Sequence, residues 1–255
     1  MSFDACATLV HKADPERFRA TMATPVAARR VLFPLYAFNI EVARAPWVTQ
    51  EPMIAEMRLQ WWRDALEEVA TGGSVRKHEV VDALTDVLDA EGAKLLDGLV
   101  AARRWDVYKD AFENAAHFDD YINATSGHLM WTAARLLGSA DEAVVRDFAY
   151  GVGVSNLFRA IPLLEGRGRK PLVDGSLAGV AALARAAQTR LDAGRNARRS
   201  VSKLAGAALF AGYAARPMLR RVIKDPAVVA QDAVAVSPFA DSCRLLHVSL
   251  RGWWV

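Results

Sequence analysis

Cysteine is nearly absent. Cys6 and Cys243 are the only two in 255 residues, and they sit at opposite ends. Two distant thiols provide no disulfide framework and no Cys-based metal spacing, which fits a reducing compartment. Histidine is almost as sparse. His11, His78, His117, His128 and His247 are scattered, with no pair at i, i+4 to hold a metal on one helix face. There is no Gly-rich phosphate loop after a strand and no G-x-S-x-G elbow, so P-loop and serine-hydrolase chemistry are excluded. Long hydrophobic runs are also lacking. The longest, Leu204 to Ala215, has 12 residues, and a membrane span needs about 20. Met1 to Val10 has no basic segment ahead of an apolar one, so no secretory signal is expected there.

What is present is apolar and helix-forming. Hydrophobic residues make up 53% of the chain. Alanine, leucine and arginine dominate and β-branched runs are few, which predicts helix nearly throughout. The expected fold is all-α, one helical domain over residues 1–255 with about ten helices. The net charge of +3 hides an asymmetry: residues 185–224 hold 10 Lys and Arg against a single acid, Asp192. Such a segment is either a solvated helix face or a contact for an anionic neighbour.

Caps and breakers place the helices. Asp14 with Pro15 opens one, and Thr24 with Pro25 opens the next. In the latter, Val31, Leu35, Phe38 and Val42 repeat at helical spacing, and Pro34 inside the pattern predicts a kink. A third helix spans Glu51 to Ala70, with Met53, Met57, Trp61 and Leu66 expected to share one face. Helices are also expected over Lys77–Leu88, Glu91–Ala101, Arg103–Phe112, Phe118–Leu137 and Glu142–Leu164. Glu165 to Gly175 is a basic, glycine-rich loop. Leu177–Ser202, Leu204–Lys224 (bent at Pro217) and a last helix from Pro238 complete the chain.

Three segments carry polar groups on apolar helices. Tyr36 and Asn39 share a face, with Glu41 just beyond. Asp120 to Gly127 (DYINATSG) contains Tyr121. Tyr150 to Arg159 (YGVGVSNLFR) places Asn156 and Arg159 on one face. Buried polar groups need partners, so these are expected to converge on one another or on a ligand. Trp253-Trp254 near Arg244 and Arg251 fits either a membrane interface or a tail docked on the core.

The order of these segments resembles the squalene/phytoene synthase family of head-to-head prenyl transferases. The resemblance is carried by Leu35-Tyr36-Ala37-Phe38, Arg103-Arg104-Trp105-Asp106, Tyr121 to Gly127, and Asn156-Leu157-Phe158-Arg159 followed by Gly168-Arg169 and Leu172. It implies the isoprenoid synthase fold and a pocket lined by Tyr36, Asn39, Glu41, Arg103, Asp106, Tyr121, Asn156 and Arg159. Active members ionise allylic diphosphates with Mg²⁺, held by aspartates at i and i+4 on two facing helices. By register from Tyr36 and Asn156, those aspartates would stand at Ala43, Trp47, Ala160 and Leu164. None is a carboxylate, so no metal and no cofactor is expected.

The Asn39-Ile40-Glu41 pattern and Met57 to Asp64 are more similar to the non-catalytic branch of the family, which includes respiratory complex I assembly factors. The expectation is therefore a catalytically degenerate protein. It would bind an isoprenoid, a lipid or a partner protein, in the cytoplasm and peripheral on the inner membrane, without nucleic acid. The alternative is a working Mg-dependent prenyl transferase with a displaced metal site built from Glu41, Asp106 and Glu165.

Overall fold

A computed structural model describes residues 2–49, 51–73 and 75–255. Among them the regular structure is helical, joined by loops, and the one extended pairing is an isolated bridge between Ala140 and Val201. Twelve α-helices follow in order: α1 (Ser2–Ala13), α2 (Pro15–Met22), α3 (Val26–Arg44), α4 (Pro52–Thr71), α5 (Glu79–Thr85), α6 (Ala90–Arg103), α7 (Ala115–Ile122), α8 (His128–Leu137), α9 (Glu142–Gly166), α10 (Leu177–Asn196), α11 (Ala215–Lys224) and α12 (Pro238–Arg251). Short 3-10 turns intervene, and the five residues Asn123–Gly127 form a π-helical turn between α7 and α8.

Side-chain caps define many starts. Asp14 accepts from the Arg17 backbone N at 3.0 Å, Asp89 from Gly92 N at 2.8 Å, and Asn114 from His117 N at 3.0 Å. Each satisfies a backbone donor that the first helical turn leaves free. Thr24 does not cap α3 as expected. Its hydroxyl donates to Thr21 O at 2.7 Å, and Pro25 takes the cap position. α3 runs through Pro34, where a kink was expected, and ends at Arg44 just before Pro46. Leu32, Phe33, Pro34, Leu35 and Phe38 are all buried there, and that packing offsets the lost backbone bond.

The buried face of α4 is Ala55, Leu59, Trp62, Ala65 and Leu66, whereas Met53 and Met57 are exposed. Other expectations are corrected. Arg104–Val107 is a 3-10 turn leading into non-helical chain, not a helix to Phe112. Ala205–Gly212 winds as a 3-10 helix, and α11 starts afresh at Ala215 with Pro217 in its first turn. Here the chain lies against α9: a Cβ on Gly212 would stand 2.6 Å from the Phe148 ring.

The core lies among α1, α3, α6, α8, α9 and the 205–212 segment, with Phe33, Phe38, Phe148 and Phe158 fully buried. α9 packs along both α10 and the π-helical turn. Gly153 permits the latter approach, since a Cβ there would stand 2.8 Å from Ser126 Cβ. The terminal tryptophans settle on the protein: Trp253 is 4% exposed and meets Phe148 edge-on, with ring centroids 5.1 Å apart. Trp253 is therefore a docked tail rather than a membrane anchor.

Candidate functional site

A cavity of about 1150 Å³ opens between α3, the π-helical turn, α8 and α9. Tyr36, Asn39, Arg103, Asp106, Tyr121, Asn156 and Arg159 all lie on its wall. Residues from four separate segments are thus brought to one space. Glu41 is the exception and is corrected here. Two residues past Asn39, it lies on another face of α3, off the wall, and accepts from Arg44 Nη1 at 3.4 Å.

Three of these residues form a hydrogen-bonded triad. Arg103 Nη1 donates to Asp106 Oδ2 at 2.9 Å and contacts the Tyr121 hydroxyl at 2.8 Å, while that hydroxyl donates to Asp106 Oδ1 at 2.9 Å. Burial opposes the charge on Arg103, but Tyr121 and Asp106 more than offset it, so its affinity for the proton rises. Burial also raises the Tyr121 phenol, against the pull of Arg103. Tyr36 is 3% exposed. Its hydroxyl donates to Ala208 O at 3.3 Å, and burial pushes its pKa up to about 12, opposed by Arg17, which stands 4.9 Å over the ring. Arg159 clamps Glu16 with two bonds at 2.5 and 3.1 Å, tying α9 to α2. The side chains of Asn39 and Asn156 make no hydrogen bond among the described residues.

Ala43, Trp47, Ala160 and Leu164 line the same cavity. Methyl, indole and isobutyl groups thus occupy the wall where register puts the metal aspartates. Among the described residues, no three His, Cys, Asp or Glu side chains gather as metal ligands. The displaced set does not assemble either: Asp106 is bound to Arg103 and Tyr121, and Glu41 and Glu165 lie off the wall. A Mg²⁺ ion, which takes oxygen ligands, does not fit this donor set.

The guanidinium carbons of Arg167 and Arg169 lie 4.6 and 4.8 Å from the Trp47 ring centroid. Arg169 also stands 5.9 Å from Trp105, which stacks on Phe112 at 4.0 Å. Sequence reasoning missed Arg17, Trp105, Arg167 and Arg169 as wall residues. Arg169 was visible only as part of a motif and Arg167 only as part of a basic loop; no periodicity marks a loop as facing a helix.

Residues 10–172 match the family described as squalene/phytoene synthase. The chain belongs to that family. Its structure is similar to a crystal structure of a dehydrosqualene synthase in complex with ligand, with a TM-score of 0.81 over 98% of this chain and 95% of that one, at 15% identity. By sequence it is similar to the NADH dehydrogenase (ubiquinone) complex I, assembly factor 6 homolog of Drosophila melanogaster, 31% identical over 66% of this chain and 53% of that protein. The Homo sapiens complex I assembly factor 6 is 24% identical over 62% of this chain and 48% of its own length. The chain thus spans about half the length of the curated relatives it matches. Among the described residues no helix is long and apolar enough to cross a membrane.

Proposed function

We propose that this family member acts by binding rather than by prenyl transfer, serving a protein partner in the assembly of a respiratory membrane complex. The observation that carries this reading is the wall composition at Ala43, Trp47, Ala160 and Leu164. Stripping diphosphate from an allylic substrate develops a large negative charge, and electrostatic neutralisation is usually the main catalytic contribution. Methyl, indole and isobutyl groups at those four positions offer no carboxylate to hold the Mg²⁺ ions that would supply it. The names of the curated relatives support the assembly role.

The test is incubation of purified protein with Mg²⁺ and farnesyl or geranylgeranyl diphosphate. The expected result is no inorganic diphosphate above the protein-free rate. Release at enzyme-like turnover overturns the reading in favour of a transferase.

A peripheral membrane contact belongs to the same proposal. Val48, Met53, Ile54 and Met57 are exposed in the stretch just after Trp47, and clustered apolar exposure marks interaction surfaces. Co-sedimentation with vesicles of anionic phospholipid checks it. Met53→Asp with Met57→Asp is expected to leave the protein in the supernatant, and equal pelleting of variant and parent argues against the contact.

A further inference from the structure

The last helix, α12, carries two stripes on opposite faces. Asp241 and Val248 are 5% and 1% exposed and turn toward the protein body. Asp241 is fixed there by Arg19 at 2.7 Å and by the Tyr213 hydroxyl at 2.6 Å. On the far side stand Phe239, Cys243, Leu246 and Leu250, all exposed. Phe239, Leu246 and Leu250 are bared to 80%, 61% and 75%. A single exposed apolar residue needs no explanation, but an aligned set forms a patch that marks a contact.

The shape of the patch narrows the occupant. Its residues follow one another at intervals of 4, 3 and 4 positions, the spacing of a coiled-coil seam. At 3.6 residues per turn they fall within an arc of about 60°. An ordinary buried helix face is wider, about 100° or more. Ser242 and Ser249 bound the seam on one side, and Ala240 and His247 on the other. A helix lying in a lipid surface needs a broad apolar face backed by a Lys- and Arg-rich one. The back of α12 is instead packed on the protein.

Charge narrows it further. In coiled coils the residues flanking the seam carry the charges that select a different partner. Here the four flanking positions hold no Asp, Glu, Lys or Arg, so nothing repels an identical helix. The seam also reads the same in both directions. Two antiparallel copies, related by a two-fold axis between Cys243 and Leu246, set Phe239 against Leu250 and Cys243 against Leu246. Every seam residue then meets a counterpart of different size, as a self-complementary two-fold contact requires. The two Arg251 side chains lie at opposite ends and do not meet.

We propose that the exposed face of α12 is a self-association site, through which two copies of this chain pair as an antiparallel helix seam. The site is separate from the cavity and does not depend on the binding reading above. From Phe239 to Leu250 the seam is only about 17 Å long. That is short of the roughly 800 Å² per partner of a stable interface, so the dimer is weak and reversible.

The test is sedimentation equilibrium of the whole chain under reducing conditions, from about 5 to about 500 µM, a range suited to a weak interface. Monomer is expected at the low end and dimer at the high end. Leu246→Lys with Leu250→Lys is expected to hold the chain monomeric throughout, with circular dichroism equal to the parent's. Phe239→Ser is a second, independent variant, expected to weaken dimerisation about tenfold, as one lost apolar anchor implies. For the register, Leu246→Cys places a thiol opposite Cys243 of the second copy. Oxidation with diamide is expected to give a linked dimer, and adding Cys243→Ser is expected to abolish it. Cys6 is buried and stays out of the reaction. A parent that remains monomeric across the range overturns the proposal, whether the face then binds another protein's helix or, by seam-dependent co-sedimentation with vesicles, a lipid surface. A dimer that persists unchanged in both seam variants overturns it too. Linked dimer that survives Cys243→Ser overturns the antiparallel arrangement.

Discussion

Asp106 is 6% exposed and holds two donors, Arg103 and Tyr121, from different parts of the chain. Asp106→Ala leaves Arg103 buried without its acceptor and is expected to cost about 3 kcal/mol. Tyr121→Phe removes one hydroxyl and is expected to cost about 1 kcal/mol. Urea midpoints at constant slope check that order, and equal costs would mean that the triad does not stabilise the fold through its charge. The sequence already marked Arg103, Asp106 and Tyr121 as pocket residues, because each stood in a recognisable segment. It did not mark Trp47 as the platform under Arg167 and Arg169. That contact joins residues far apart in the chain, and no spacing rule links a 3-10 turn to a loop.

Elements were legible where local periodicity and caps act, and less so where tertiary packing overrules them. α9 was readable from Asp141 and its apolar repeat. The 205–212 segment was not, because an Ala- and Gly-rich run scores as α-helix, whereas its close packing against Phe148 and Trp253 coincides with 3-10 winding. Gly151 marks the α9–α10 contact: a Cβ there would stand 2.5 Å from Leu191 Cβ and 3.0 Å from the Ala187 carbonyl oxygen. The backbone oxygen cannot turn aside, so Gly151→Ala is expected to destabilise by about 1–3 kcal/mol, read as a lower thermal midpoint. The start of α12 is held to α2 through Asp241, which accepts from Arg19 at 2.7 Å and from the Tyr213 hydroxyl at 2.6 Å. Asp241→Ala orphans both donors and is expected to cost about 1–3 kcal/mol. Faster proteolysis within 238–255 than in the parent checks it.

Across the molecule, burial raises four tyrosines: Tyr36 to about 12, and Tyr121, Tyr150 and Tyr213 likewise upward. An unfolded phenol titrates near about 10, so the folded state holds these protons more tightly. Their contribution to stability is complete below that value and is lost as pH rises through the folded pKa. Unfolding is therefore expected to set in above about pH 10, with phenolate absorbance rising together with the loss of helix. Phenolate absorbance that develops fully while helix is retained argues against the burial. Composition and pattern determined that this chain is helical, and the resemblance of its segments to a known family implied the prenyl-transferase fold and the four positions that lack a carboxylate. Helicity is a property of residue type and of spacing along the chain. Only the tertiary structure decided that Glu41 lies off the cavity wall, that Trp253 docks on Phe148, and that Arg167 and Arg169 stand over the Trp47 ring. Burial and charge pairing depend on distances through space between segments, and these are settled only when the helices pack.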